Sequence, residues 1–151
     1  AWVGAMAALV GRGALLLFDY GAGRRELHHA QRGVGTLRCH YRHRAHDDPF
    51  VHPGLADITA WVDFTRVAEA GAAAGCEVAG YCTQAAFLAS SGMEEELRGA
   101  RDARAQAQLG AAARRLLLPG EMGESFKAIA LGREFDAPIA EFTLSIPRTL
   151  H

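Results

Sequence analysis

Apolar strand runs alternating with helical runs predict an α/β layered sheet with parallel pairs for this 151-residue chain. Three runs carry that expectation. Ala14 to Phe18 is continuously apolar, the pattern of a strand covered on both faces. Cys76 to Thr83 alternates around Val78 and Tyr81, and Ser125 to Leu131 (Ser-Phe-Lys-Ala-Ile-Ala-Leu) ends at Gly132. Three strands make half of a doubly wound sheet. A long polar insertion follows the first of them.

Taken in order, Trp2, Met6, Leu9 and Val10 recur at helical spacing, so Ala1 to Val10 reads as a short helix closed by Gly11-Arg12-Gly13. After the first strand, Gly21 and Gly23 allow a sharp turn. From Arg24 to Ala56 no period of either kind is sustained. Loops this long are functional or disordered. Leu27, Val34, Leu37, Tyr41, Phe50, Val51 and Leu55 argue against disorder. Leu37 to His43 reads as a short element, strand or helix. Asp57 or Thr59 can cap the next helix, which carries Val62, Phe64, Val67, Ala68 and Ala74 and stops at Gly75. Gln84 to Ser91 is a further helical stretch. Met93 to Leu118 is a long helical pattern that Gly99 and Gly110 divide into two. The strand after Pro119-Gly120 is expected to enter antiparallel at or near an edge. Ile139 to Ile146 is a weaker final segment.

Half of the residues are hydrophobic, enough for the core of one domain, and a domain of this size buries roughly 70% of its unfolded surface. A net charge of −1 gives no global argument for nucleic acid or an anionic membrane. Locally the balance differs. Arg24, Arg25, Arg32, Arg38, Arg42 and Arg44 lie among His28, His29, His40, His43, His46 and His52, so the insertion is a cationic surface. Three cysteines without paired spacing argue for reduced thiols in a cytosol-like compartment. The longest apolar run falls far short of the ~20 residues that span a bilayer. The chain opens at Ala1, without Met and inside a helical pattern, which reads as a segment of something longer.

Four constellations could carry chemistry. Asp19-Tyr20 stands at the carboxyl end of the first strand, where ligands gather in open α/β sheets; the plainer role of Asp19 is to form a turn. Cys39-His40-x-x-His43-x-x-His46, beside Asp47-Asp48, holds zinc-ligand residue types but matches no strong zinc spacing. Cys39 could act as a nucleophile with a histidine as base, although nothing in the spacing brings a base and a third group together. In Asp57-x-Thr59-x-x-x-Asp63, Asp57 or Thr59 serves as a cap, and Asp63 lies early on the helix, where an acid is favoured and could still face a cleft. No Gly-x-Gly-x-x-Gly, Gly-x-x-x-x-Gly-Lys-Ser/Thr or Gly-x-Ser-x-Gly motif is present. The residues alone define an α/β domain with an active-site-like insertion and no assigned reaction.

Several runs bear a resemblance. They are Leu17-Phe18-Asp19-Tyr20-Gly21; Gln31-Arg32-x-x-Gly35-Thr36-Leu37-x-Cys39-x-Tyr41-x-His43-x-x-His46-Asp47-Asp48-Pro49-Phe50; and Pro53-Gly54-x-x-Asp57-Ile58-Thr59-Ala60-x-Val62-Asp63-Phe64-Thr65. With Gln84-Ala85-Ala86-Phe87-Leu88 and the stretch from Leu116 to Lys127, they make the chain similar to the MidA family of S-adenosylmethionine-dependent methyltransferases. The mitochondrial members of that family methylate an arginine and assist complex I assembly. The resemblance implies the carboxyl-terminal half of a Rossmann-like methyltransferase sheet, a single partial domain over residues 1–151 with residues 21–56 as lid and substrate platform. The family's glycine-rich cofactor loop has no counterpart here, so most cofactor contacts are expected outside this chain, which alone should bind the cofactor poorly. Leu27, His28, Ala30, Ala56-Asp57 and Ala60-Trp61 depart from the family pattern.

The resemblance makes S-adenosyl-L-methionine the expected cofactor. It makes a protein the expected substrate, a respiratory complex I subunit among the options, with no nucleic acid and no membrane span. The expected compartment is the bacterial cytoplasm, or the mitochondrial matrix for eukaryotic relatives. Asp19, His46, Asp47 and Asp63 are the catalytic candidates: carboxylates to cradle a guanidinium and a histidine to relay its proton. His43 is an alternative relay. Tyr20, Gln31, Arg32, Tyr41 and His43 are the substrate-binding candidates. Two other readings stay open, a partner-docking module without catalysis and a zinc-dependent hydrolase built on the histidines.

Overall fold

The computed structural model describes residues 2–135 and Phe142. Helix α1 (Trp2–Leu9) leads into strand β1 (Gly13–Ala22). A one-turn helix α2 (Arg24–Leu27) opens the insertion. Three short strands follow, β2 (Arg38–Tyr41), β3 (Arg44–His46) and β4 (Asp57–Thr59), forming a small antiparallel sheet in the order β3-β2-β4. Strand β5 (Val62–Asp63) returns the chain to β1. Then come α3 (Phe64–Ala73), β6 (Glu77–Thr83), α4 (Gln84–Ser90), α5 (Met93–Arg98), α6 (Ala103–Leu117), α7 (Met122–Ser125) and β7 (Phe126–Arg133). The principal sheet has the order β5-β1-β7-β6.

The last described strand is central, and the expectation of an edge position is corrected. β7 is antiparallel to both neighbours: Tyr20 pairs with Phe126 on one side and Thr83 with Lys127 on the other. The reason is the path of the chain. Helices α4 to α7 leave the rim where β6 ends and return to it, so β7 starts beside the carboxyl ends of β1 and β6 and runs back. Among the described residues the expected parallel pairing is confined to β1 and β5, at Gly21↔Val62 and Ala22↔Asp63.

β7 is also the strand covered on both faces. Ile129 and Leu131 are fully buried and join Ala7, Phe64, Val67, Cys76 and Tyr81 in the core beneath α1 and α3. Ala128 and Ala130 point the other way, where their small side chains admit Cys82, Phe87 and Phe142. β1 differs from expectation. It alternates, with Leu15 and Leu17 packed on the first core and Leu16 and Phe18 left 42% and 43% exposed. It also runs on to Ala22, so Gly21 lies inside a strand and makes no turn.

Local chemistry sets the helix boundaries. Asp63, not Asp57 or Thr59, caps α3: its Oδ1 accepts the Arg66 N–H at 3.0 Å, while Asp57 and Thr59 lie in β4. Thr83 and Asp102 cap α4 and α6 in the same way. Gly99 ends α5, whereas Gly110 sits inside α6 without breaking it. The expected segment Ile139 to Ile146 lies outside the described residues except for Phe142. Among the described residues no helix is long and apolar enough to cross a membrane.

Burial pushes the Cys82 thiol up to about 11 and the Tyr81 hydroxyl up to about 12. Both ionise more easily in the unfolded chain, which therefore loses protons first. Stability is present in full below about pH 9 and falls as pH rises toward 12, by roughly 2–3 kcal/mol for each group. Urea titrations at stepped pH should show this decline, and Tyr81→Phe should shrink it.

Candidate functional site

The carboxyl end of β1 carries the first candidates. Strand alternation places Asp19 on the face of Leu15 and Leu17, and Tyr20 on that of Leu16 and Phe18. Asp19 Oδ1 accepts the Tyr20 N–H at 2.8 Å. The Tyr20 ring meets Phe126 edge-on, with 5.6 Å between centroids. Gly21 is needed because a Cβ there would stand 2.2 Å from the Val62 carbonyl oxygen. That close approach lets β5 pair with β1 and sets Asp63 opposite Ala22.

Asp63 is heavily engaged. Besides capping α3, its Oδ2 accepts from Arg24 Nε at 3.4 Å. Arg24 also donates to both oxygens of Glu69, at 2.8 and 2.6 Å, and its backbone N–H donates to Thr65 Oγ1 at 3.0 Å. The hydrogen bonds from Arg24 hold the Glu69 carboxyl below its usual value and raise the guanidinium in turn. This cluster clamps the start of the insertion onto the first turns of α3. The sequence signals it only as an arginine two residues past the strand.

The insertion is folded rather than structureless. Arg32 lies 4.3 Å over the Trp61 ring and pairs with Glu26 at 3.3 Å, and the backbone N–H of Trp61 donates to Thr36 Oγ1 at 3.2 Å. Arg32 thus staples the insertion to the approach to β5. Gln31 next to it is exposed. Strand register sorts the remaining candidates. Cys39, Tyr41, Arg44, His46 and Ile58 share one face of the small sheet, and Arg38, His40, Ala45, Asp57 and Thr59 share the other. His43 sits at the hairpin turn. Cys39 and His46 are therefore cross-strand neighbours, while His40 and His43 point elsewhere. Among the described residues no three of His, Cys, Asp and Glu converge as a metal requires, which removes the support for a zinc hydrolase.

His46 stands out. Both ring nitrogens are buried, and neither has a hydrogen-bond partner among the described residues. Buried polar atoms are ordinarily satisfied, so such a group is a candidate for handling a substrate proton or donor. His46 lines a cleft of about 880 Å³ with Tyr41, Arg42, Arg44, Val51 and His52. The Tyr41 and His52 rings lie 4.3 Å apart, tilted by 32°. Asp47 and Asp48 also border the cleft, each with one oxygen engaged. Asp47 is paired with Arg38, and Asp48 Oδ1 accepts the Phe50 N–H at 2.9 Å. The tip residues Arg42 and His43 have φ of 48° and 63°, the sign a two-residue hairpin turn needs but one that costs a residue with a Cβ roughly 1–2 kcal/mol. No hydrogen bond among the described residues joins any two of Asp19, His46, Asp47 and Asp63.

A mixed sheet carrying a folded polar insertion at the carboxyl rim of β1 is part of a Rossmann-like methyltransferase fold, as solved structures bear out. A crystal structure of a protein from Burkholderia thailandensis superposes with a TM-score of 0.90 at 44% identity, covering 94% of this chain and 38% of that one. A second from the same organism, with S-adenosyl-homocysteine bound, gives 0.87 at 44% identity, covering 94% and 37%. Residues 1–82 match the family described as "Putative S-adenosyl-L-methionine-dependent methyltransferase". The chain belongs to this family, the MidA type whose residue runs it resembles. The mitochondrial protein arginine methyltransferase NDUFAF7 of Rattus norvegicus is 36% identical over 126 residues, 79% of this chain and 26% of the relative. That of Xenopus laevis is 35% identical over 120 residues, covering 76% and 25%. The chain spans about a quarter of the length of these curated relatives.

Proposed function

We propose that this chain forms the substrate side of an S-adenosylmethionine-dependent methyltransferase acting on a protein arginine. The observation that carries the reading is His46, buried with two unpartnered nitrogens on the wall of the insertion's cleft. Family membership supplies the reaction class, and the names of the curated relatives supply the arginine. A complex I subunit as acceptor, the bacterial cytoplasm as compartment, and the mitochondrial matrix for eukaryotic relatives follow from the same kinship.

The residues present fit the cofactor as one wall and not as its whole site. The carboxyl end of β1 offers Asp19 and Tyr20 where α/β sheets hold ligands, but the sequence contains no Gly-x-Gly-x-x-Gly loop. When bound, S-adenosylmethionine supplies a methyl group on a sulfonium. The tasks of this chain concern the acceptor. A guanidinium is protonated at neutral pH and must be oriented and relieved of a proton before its nitrogen can attack. Carboxylates orient it through paired hydrogen bonds. Of the candidates, Asp19 keeps one oxygen without a partner among the described residues. Asp47 and Asp63 must first exchange Arg38 and Arg24 for the substrate. His46 is the group placed to accept that proton. Tyr20, Gln31, Arg32, Tyr41 and His43 frame the approach, and residues 21–56 act as lid and platform over a partial domain.

A chimera tests this reading. This chain replaces the matching segment of the Burkholderia thailandensis relative, whose backbone it follows. Calorimetric titration should show S-adenosyl-homocysteine binding. Incubation with S-adenosylmethionine and cell protein should yield methylarginine on amino-acid analysis. A folded chimera that binds the cofactor product but forms no methylarginine would contradict the arginine reading, and absence of binding would contradict the methyltransferase reading.

A further inference from the structure

We infer that the cleft between the β2–β3 hairpin and the loop 47–52 docks an acidic polypeptide segment with apolar side chains, belonging to the protein that carries the methyl acceptor. The identity of that partner as the acceptor rests on the methyltransferase reading. The docking itself rests on three observations independent of it.

The first is charge. Residues 21–56 hold six arginines against Glu26, Asp47 and Asp48. Arg24, Arg32 and Arg38 are satisfied within the chain. Arg25, Arg42 and Arg44 have no carboxylate partner among the described residues, and two of them line the cleft. Of the two acids on its wall Asp47 is paired with Arg38, while Asp48 takes only the Phe50 N–H among the described residues and keeps its charge, so two unpaired guanidinium groups stand against one carboxylate. The available charge is therefore cationic, and guanidinium groups pair well with carboxylates. The two histidines that line the cleft, His46 and His52, add no negative charge.

The second is apolar surface beside that charge. Phe50 is 86% exposed, Leu55 68% and Ile58 56%. Ile58 shares the sheet face of Cys39 and His46, and Val51 lines the cleft itself. The third is the hairpin tip. Arg42 and His43 are held at positive φ, and the Arg42 guanidinium lies 5.3 Å from the Tyr41 ring, whose other neighbour is His52. The tip therefore presents a guanidinium beside an aromatic pair. A phosphate lattice would gain nothing from the apolar side chains beside the guanidinium groups. A polypeptide alternating carboxylates with apolar side chains matches both features.

The test is fluorescence anisotropy on the full chain, using a labelled peptide that alternates glutamate with leucine and phenylalanine. Its control replaces each glutamate by glutamine. The acidic peptide should bind about tenfold more tightly than the control and weaken with added salt. Arg42→Glu combined with Arg44→Glu should weaken it at least about tenfold, while Arg115→Glu on α6 leaves it unchanged. Phe50→Ser should weaken binding of both peptides. Circular dichroism verifies that the variants keep the fold. Equal binding of the two peptides, or full binding by the folded double variant, would overturn the inference. So would an oligothymidylate of matched charge that competes as well as the peptide. No cofactor enters the assay, so failure of the chimera to bind S-adenosyl-homocysteine leaves it standing. A chimera that binds cofactor beside a chain that ignores the acidic peptide refutes the docking alone.

Discussion

Gly21→Ala is expected to lower the stability of the chain by about 2–3 kcal/mol and to loosen the insertion from the principal sheet. The added methyl would stand 2.2 Å from the Val62 carbonyl oxygen and 2.8 Å from its nitrogen. Both are backbone atoms of the strand that pairs with β1, so no rotamer change relieves the clash. β5 must move, and with it go Asp63, the α3 cap and the Arg24 clamp. A drop in the urea midpoint at unchanged slope reads the stability loss. Faster amide exchange at Val62, Asp63 and Arg24 reads the detachment. A midpoint equal to that of the parent would show that the strand pair tolerates a Cβ at this position.

Phe64→Ala is expected to cost about 3–5 kcal/mol, the range for removing a buried aromatic side chain. The Phe64 side chain is 1% exposed at the start of α3, with its ring centroid 5.4 Å from that of Tyr81. It also packs against Gly21, where one ring carbon lies 3.0 Å from the position a Cβ would take. Its deletion therefore opens a void between α3, β1 and β6 at the end of the sheet that launches the insertion. Phe64→Leu, which keeps much of the volume, should cost less than about 1.5 kcal/mol. Thermal or urea unfolding of the pair separates the void from the loss of the ring. Similar costs for both variants would mean that the site collapses around the smaller residue.

The same two positions show what the sequence makes legible. Phe64 falls on an apolar helical stripe, and periodicity finds such residues. Gly21 also draws attention, but for the wrong reason, because a glycine after an apolar run reads as a turn. The close approach of Val62 comes from a chain segment 41 residues away and leaves no local mark. The run rule for buried strands misleads in a similar way. Leu15 to Phe18 is bulky and continuous, yet Leu16 and Phe18 are half-covered. The strand buried on both faces is β7, where the alanines of one face are small because Phe87 and Phe142 fill the space. The position of β7 between β1 and β6 depends on four helices returning to the rim they left, a tertiary fact.

In the insertion, aperiodicity reflects very short strands, too brief for alternation to register. The candidate histidines could be named from the sequence but not sorted. Only the register Cys39↔His46 separates His46, with its buried ring nitrogens, from His40 and His43. Arg32 is a substrate-binding candidate from sequence, and the contacts that fix its position, with Trp61 and Glu26, become visible only in three dimensions.

The most direct test of the account is methylarginine formation by the chimera with His46→Gln, measured at saturating cofactor alongside the affinity for S-adenosyl-homocysteine. The account predicts turnover reduced about a hundredfold or more, the usual effect of losing a positioned proton acceptor, with cofactor affinity unchanged. Turnover equal to that of the parent chimera would remove His46 from the chemistry, and with it the assignment of this cleft as the place where the acceptor reacts.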